Sequence, residues 1–196
     1  MDYICLTKNE ITDLLKETLD EERYIHSLAT ADTARALAQK YGENPEKAYL
    51  AGLLHDCAKC YSKESYLEFF ENGVEITQDE KLNPKTFHAP VGAYIAKTIY
   101  KVTDDEILSA IRWHTVGKVN MSIFEKIIFL ADKIEPETRP EEYRNTIIKN
   151  LDLDYGLDRA ILECYKHTIN HLSQKGFKIC TSTIDVYNEL LDKIKG

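Results

Sequence analysis

Apolar residues recur along this chain at helical spacing, and polar punctuation cuts the pattern into short helices. Between residues 24 and 41, Leu28, Ala31, Ala34, Leu37, Ala38 and Tyr41 fall close to a 3.6-residue period, and Gly42 can stop the run. Asn44 followed by Pro45 reads as an N-cap and a favoured first helical residue, opening a helix through Leu50, Leu53 and Leu54 to His55-Asp56. Ser62 can cap a helix reaching Asn72-Gly73, and Pro90 opens another towards Tyr100. Two capping-box sequences follow: Thr103-Asp104-Asp105-Glu106 leads towards Trp113-His114, and Ser122-Ile123-Phe124-Glu125 leads into a helix carrying Asp132. A helix over 9–19, a long one over about 157–174 and a last one from about Ile184 complete the series. Residues 73–87 are the least periodic and read as a loop with room for one helical turn. The expected fold is all-α: a single domain over 1–196, with an N-terminal helical extension over 1–20 and a C-terminal segment over 175–196.

The apolar helices carry an unusual cargo. His55-Asp56 ends the run Leu53-Leu54, and Asp132 follows Ile128-Phe129-Leu130-Ala131. A carboxylate in such a run needs a cation, a metal or hydrogen-bond donors. His26, His88 and His114 lie on or beside other predicted helices. Ligands far apart in sequence meet when several helices converge, which is how metal sites are built inside helical bundles. Imidazole nitrogens and carboxylate oxygens suit a hydrolytic metal centre. The residues alone support hydrolysis of a phosphate ester or anhydride.

Composition narrows the partners. The chain has 196 residues, 43% hydrophobic and 30% charged, an ordinary globular balance. Its net charge of -8 argues against nucleic acid or an anionic membrane as partner, yet allows a nucleotide in a locally cationic cleft. Met1-Asp2-Tyr3-Ile4-Cys5 lacks a signal-peptide layout, and the apolar runs are too short to span a bilayer, so a cytoplasmic location is expected. Five cysteines, an odd number with irregular spacing, suit a reducing compartment. Cys57-Ala58-Lys59-Cys60 is a lone CxxC, better read as small buried residues at a helix end than as a zinc or redox site.

The ordered set resembles the HD-domain metal-dependent phosphohydrolases, and within them the bacterial YqeK-type symmetrical diadenosine tetraphosphate hydrolases. The resemblance is carried by Arg23-Tyr24-Ile25-His26, Gly52-Leu53-Leu54-His55-Asp56, His88-Ala89-Pro90-Val91-Gly92, Trp113-His114-Thr115-Val116-Gly117 and Leu130-Ala131-Asp132-Lys133-Ile134-Glu135-Pro136. It implies a helical bundle with a metal site between helices, and His26, His55, Asp56 and Asp132 as metal ligands. The metal it implies is iron, with manganese, cobalt or zinc as alternatives. His88 and His114 would contact substrate phosphates, a second metal there being left open. Catalysis would rest on Asp56, His88, His114 and Asp132. Arg23, Lys59 and Arg139 would face phosphate oxygens, and Gly176, Phe177, Lys178, Ile179, Cys180 and Thr181 would line a nucleoside pocket. The implied substrate is diadenosine tetraphosphate and the product ADP; a homodimer is left open. Two departures stand out. Pro136-Glu137-Thr138-Arg139 has one residue more than the family usually places before its Arg, and Thr181 stands where the family tends to carry Pro.

Duller readings stand beside these. His26 alone could be a hydrogen-bonded helix-face residue, His88 a residue near a helix start, His114 a packed helix end and Lys59 a solvated cation. His167 and His171 have i, i+4 spacing but no Glu directly after His167, so surface or packing roles suit them better. The competing functions are a nucleotidase or phosphodiesterase of the same superfamily, a nucleotide-binding regulator without turnover, and a helical scaffold with structural histidines.

Overall fold

A computed structural model describes residues 3–196, and the helices start and stop where local chemistry dictates. Met1 and Asp2, the start of the expected extension, lie outside the described residues. Thr7 forms a capping box with Glu10 and opens α1 (Lys8–Thr18). Asp20 caps α2 (Glu21–Tyr41), so this helix starts a turn before its apolar period is visible, and Gly42 ends it in the left-handed conformation at φ 75°. Asn44 caps α3 (Pro45–Leu54) and Ser62 caps α4 (Lys63–Glu71), as expected.

The stretch read as a loop folds further than expected: Thr77 and Glu80 form a capping box on the short α5 (Gln78–Lys81), and a 3-10 turn follows over Pro84–Thr86. Helix α6 (His88–Thr98) begins two residues before Pro90, which occupies its first turn. Asp104, not Thr103, caps α7 (Asp105–Trp113), its Oδ1 accepting from Glu106 and Ile107 N–H. The second expected capping box does form, Ser122 with Glu125, on α8 (Ile123–Ile134). Helix α9 (Glu141–Ile148) has no counterpart in the sequence reading: its apolar positions are few and no side chain caps it. Helix α10 (Gly156–Gln174) matches expectation, and α11 (Thr181–Lys195) starts three residues early. One isolated antiparallel bridge, Ile4 to Val102, is the only β pairing among the described residues. No helix among them is long and apolar enough to cross a membrane.

Helices α2, α3, α7 and α8 pack around one core that includes the fully buried Leu54, Ile107, Ile111, Ile127, Ile128 and Leu130. Helix α1 joins it by burying Ile11 and Leu15. Gly52 sets how closely α2 and α3 approach: a Cβ there would stand 2.9 Å from the Ala31 Cα. That contact brings the α2 face carrying His26 against the end of α3, where His55 and Asp56 emerge.

Candidate metal centre

Helix ends supply most of the site. His55 is the C-cap of α3 and His114 the C-cap of α7, each just past the apolar run that buries it. The last carbonyls of a helix lack intrahelical partners. Here they take ring protons: His55 Nδ1 lies 2.6 Å from Gly52 O, and His114 Nδ1 2.7 Å from Ile111 O. Because a carbonyl only accepts, Nδ1 carries the proton in both rings and Nε2 is aimed at the centre. His26, in the second turn of α2, is held likewise by a carboxylate, its Nδ1 donating to Glu135 Oε1 at 3.0 Å. Glu135 has no exposed surface and is itself fixed by the Glu137 and Thr138 N–H groups and by the Thr138 hydroxyl.

The Nε2 atoms converge on two carboxylates. His26 Nε2 stands 3.1 Å from His55 Nε2 and 3.1 Å from Asp132 Oδ1, and 3.9 Å from Asp56 Oδ2. His55 Nε2 lies 3.7 Å from Asp56 Oδ2 and 3.8 Å from Asp132 Oδ1. The other Asp56 oxygen faces a second set: Oδ1 lies 3.2 Å from His88 Nε2 and 3.5 Å from His114 Nε2. Those two nitrogens are 3.1 Å apart, and Thr115 Oγ1 sits 3.1 and 3.0 Å from them. Asp56 therefore stands between two groups of donors, one oxygen towards each.

Electrostatics fit a cation. Burial pushes the His55 ring down to about 3, against the opposing pull of Asp56, so the ring is neutral and its Nε2 lone pair is unspent. Burial likewise takes His88 down to about 4, partly offset by Asp56. Burial alone would raise both carboxyls, but the groups facing them win. His55, His114 and His88 hold Asp56 well below the ordinary carboxylate range, and Lys133, His26 and His55 do so for Asp132. Asp56 Oδ1 is buried without a hydrogen-bond partner. Lone pairs converging beside an orphaned buried carboxylate oxygen are costly unless a cation binds them. Two groups have ligand atoms close enough for one ion: His26, His55 and Asp132, and His55, Asp56 and His114. The N/O donors fit a divalent transition metal.

Four cations rim the centre. Arg23 Nη1 lies 3.4 Å from Asp56 Oδ2, and Lys59 Nζ 3.7 Å from Asp56 Oδ1 and 3.0 Å from His88 Nε2. Burial lowers the Lys59 amine, against the pull of Asp56 and Asp132. Lys133 Nζ and Arg139 Nη2 each stand 2.5 Å from an Asp132 oxygen. The extra residue before Arg139 does not keep it from the centre, since its guanidinium also bonds Asp132 O and comes within 3.5 Å of His26 Nε2.

Several other residues are held by contacts of their own. Gly176, Phe177 and Lys178 are exposed, Ile179 and Cys180 lead into Thr181 at the start of α11, and the Cys180 thiol and Ser182 N–H both meet Asp79. Arg144 bonds Ile134 O and lines a groove of about 690 Å³ with Leu28, Ala36 and Ile148, away from the facing ligands. His167 bonds Thr146 and packs on Tyr143, and His171 is exposed. Cys57 is buried with its thiol 3.5 Å from Gly92 O and burial raises its pKa, the packing role expected of it, but Cys60, also expected to be buried, is exposed with its thiol 3.6 Å from Asp20 Oδ2. Sequence reasoning gave no role to Lys133, Glu135, Thr138 or Thr115. The signal for Glu135 was a carboxylate one turn beyond Asp132 on the same helix face.

Helix ends presenting histidines to a shared aspartate define a metallohydrolase-type centre in a helical bundle. The chain belongs to the HD domain family, whose pattern matches residues 23–137. It is 34% identical over 186 residues to a Bacillus subtilis protein named "Bis(5'-nucleosyl)-tetraphosphatase, symmetrical", covering 95% of this chain and 98% of that one. A Staphylococcus aureus protein of the same name is 37% identical, over 89% and 90% of the two chains. A solved structure from Clostridium acetobutylicum, described as a predicted HD superfamily hydrolase involved in NAD metabolism, superposes with a TM-score of 0.88 at 38% identity. It covers 96% of this chain and 98% of that one.

Proposed function

We propose that this chain is a metal-dependent symmetrical bis(5'-nucleosyl)-tetraphosphatase, hydrolysing diadenosine tetraphosphate to two ADP. The observation that carries the reading is the rim of Arg23, Lys59, Lys133 and Arg139 around a buried His/Asp centre, in a chain whose net charge is -8. A polyphosphate is the substrate such a local field selects. That it is a dinucleoside tetraphosphate rests on the names of the full-length relatives.

His26, His55, Asp56 and Asp132 would hold the metal, iron being our assignment and manganese, cobalt or zinc the alternatives. When bound, it lowers the pKa of a coordinated water from about 15.7 towards about 7 and polarises a phosphoryl oxygen. Asp56 Oδ1, the oxygen without a partner, can accept a hydrogen bond from the attacking water and turn it towards one of the two central phosphorus atoms. The new bond forms between water oxygen and that phosphorus. The central bridging P–O bond breaks, and the bridging oxygen leaves with the second ADP. His88, His114 and Thr115 face the same side of Asp56; the Thr115 hydroxyl donates to the equatorial phosphate oxygens, and the two rings do so with Nε2 protonated, while Lys59 and the arginines offset the charge that builds there. Gly52 and Ile111 carbonyls and Glu135 keep the His55, His114 and His26 rings from turning during the reaction. The segment over 176–181 is our assignment for holding one nucleoside.

Product analysis tests this. Metal-replete protein given diadenosine tetraphosphate should yield ADP as sole nucleotide product, and His55→Ala should yield none. ATP plus AMP would overturn the position of cleavage, and preferential turnover of nucleoside monophosphates or cyclic nucleotides would overturn the substrate.

A further inference from the structure

Outside the centre, an ion pair with a fully buried carboxylate lies in the stretch that the sequence presents as a loop. Glu80, on the four-residue α5, has no exposed side-chain surface. Its carboxylate takes a two-pronged hydrogen bond from Arg112, Nη1 at 2.6 Å and Nη2 at 2.8 Å, and a third bond from Thr77 N–H at 2.8 Å. The Arg112 guanidinium also lies 4.2 Å from the Trp113 ring.

The placement of this pair is what matters. Arg112 is in the last turn of α7, two residues before His114. Glu80 leads through the Pro84–Thr86 turn into His88 at the start of α6. The two segments joined by Glu80 and Arg112 are thus the two that deliver His88 and His114, whose Nε2 atoms meet 3.1 Å apart. Asp79, the neighbour of Glu80, accepts from Ser182 N–H at 2.8 Å and so ties the same short helix to the start of α11. An ion pair that desolvates a carboxylate completely adds little net stability over an apolar replacement, so stability is a poor reason for its presence; fixing one geometry is a better one.

We propose that Glu80 is a positioning residue: through Arg112 it sets His114, and through its own segment His88, in register with Asp56 Oδ1. The proposal rests on the reading of His88 and His114 as phosphate-contacting residues. Displacing such groups by an ångström is enough to slow a reaction about 10²-fold.

Two measurements on Glu80→Gln, made with metal-replete protein, decide it. In zinc-loaded protein labelled with 15N-histidine, the ring signals of His88 and His114 should move while those of His26 and His55 stay. In turnover, kcat should fall about 10-fold with KM changed less than about 3-fold, and adding the change to His114→Ala should cost less than about 3-fold more, since coupled residues are not additive. Ring signals of all four histidines shifting alike, none shifting, or losses that multiply fully in the double variant would overturn the proposal. Should Glu80→Gln fail to fold, Arg112→Lys runs the same tests; it keeps the charge but loses the fork and should show about a 3-fold to 10-fold loss. A wild-type protein that leaves diadenosine tetraphosphate intact defeats the substrate reading instead, and the ring signals still decide the role of Glu80.

Discussion

The two sides of Asp56 are built from similar atoms and held in different ways. On the inner side, His26 and His55 are each locked by an acceptor-only partner, Glu135 or the Gly52 carbonyl, and the facing Asp132 is pinned by Lys133 and Arg139. On the outer side, His114 is locked by Ile111 O, whereas His88 faces Asp56 Oδ1 and His114 Nε2 and has the mobile Lys59, not a carbonyl or carboxylate, beside its Nδ1. All four rings are equally buried, His26 and His55 keeping 1% and 0% of their side-chain surface and His88 and His114 3% and 1%, so the difference lies in how the rings are fixed. A set of rings that are all locked from behind suits a resident ion; a set in which one ring has no carbonyl or carboxylate behind its Nδ1 suits groups that arrive and leave. On the proposed function, the inner side would hold the metal and the outer side would meet the phosphate.

Substitutions on each side can break that division. The largest effect is expected from His55→Ala, which removes a ligand atom common to both candidate ion groups: metal should be lost and turnover should fall by more than about 10³-fold. His114→Ala should cost about 10²-fold to 10³-fold in kcat, the scale of losing one charge-stabilising donor, with metal retained. Glu135→Gln keeps the shape but not the charge behind His26, and should weaken metal binding about 10-fold to 100-fold in a chelator competition. The smallest effect lies far from Asp56, where Asp158 binds Lys126 at 2.6 Å and Lys193 at 2.8 Å. Burial opposes ionisation of Asp158, but the two lysines outweigh it and hold its pKa below the ordinary 3.8. A depressed carboxyl contributes stability above its unfolded-state value and loses it as pH falls through its folded-state value. Melting temperature should therefore be insensitive to this group near neutral pH and drop below about pH 4, and Asp158→Asn should flatten that drop while costing on the order of 1–2 kcal/mol near neutrality.

The inner side was easier to read from sequence than the outer. His55-Asp56 and Asp132 end apolar runs, where a charge has no bland explanation, and helical period and caps placed α2, α3, α8 and α10 well. What escaped was set by tertiary contact. Helix α5 is too short for any period to register, and α9 presents mostly polar residues, with Ile147 its buried anchor. Thr115 and Thr138 matter only because distant segments meet them, and a lone threonine carries no pattern. Thr103 looked like a cap because Glu106 follows three residues later, but Asp104 took the position, satisfying two N–H groups with one oxygen.

Metal content per chain, measured for the wild type, His55→Ala and His114→Ala after loading with the same ion and removing excess, tests the division of labour most directly. The account predicts one tightly held ion in the wild type and in His114→Ala, and none in His55→Ala. Equal loss of metal from both variants would contradict it by making the outer histidines ligands of the same ion, and a His55→Ala protein that keeps its metal would remove the inner site altogether.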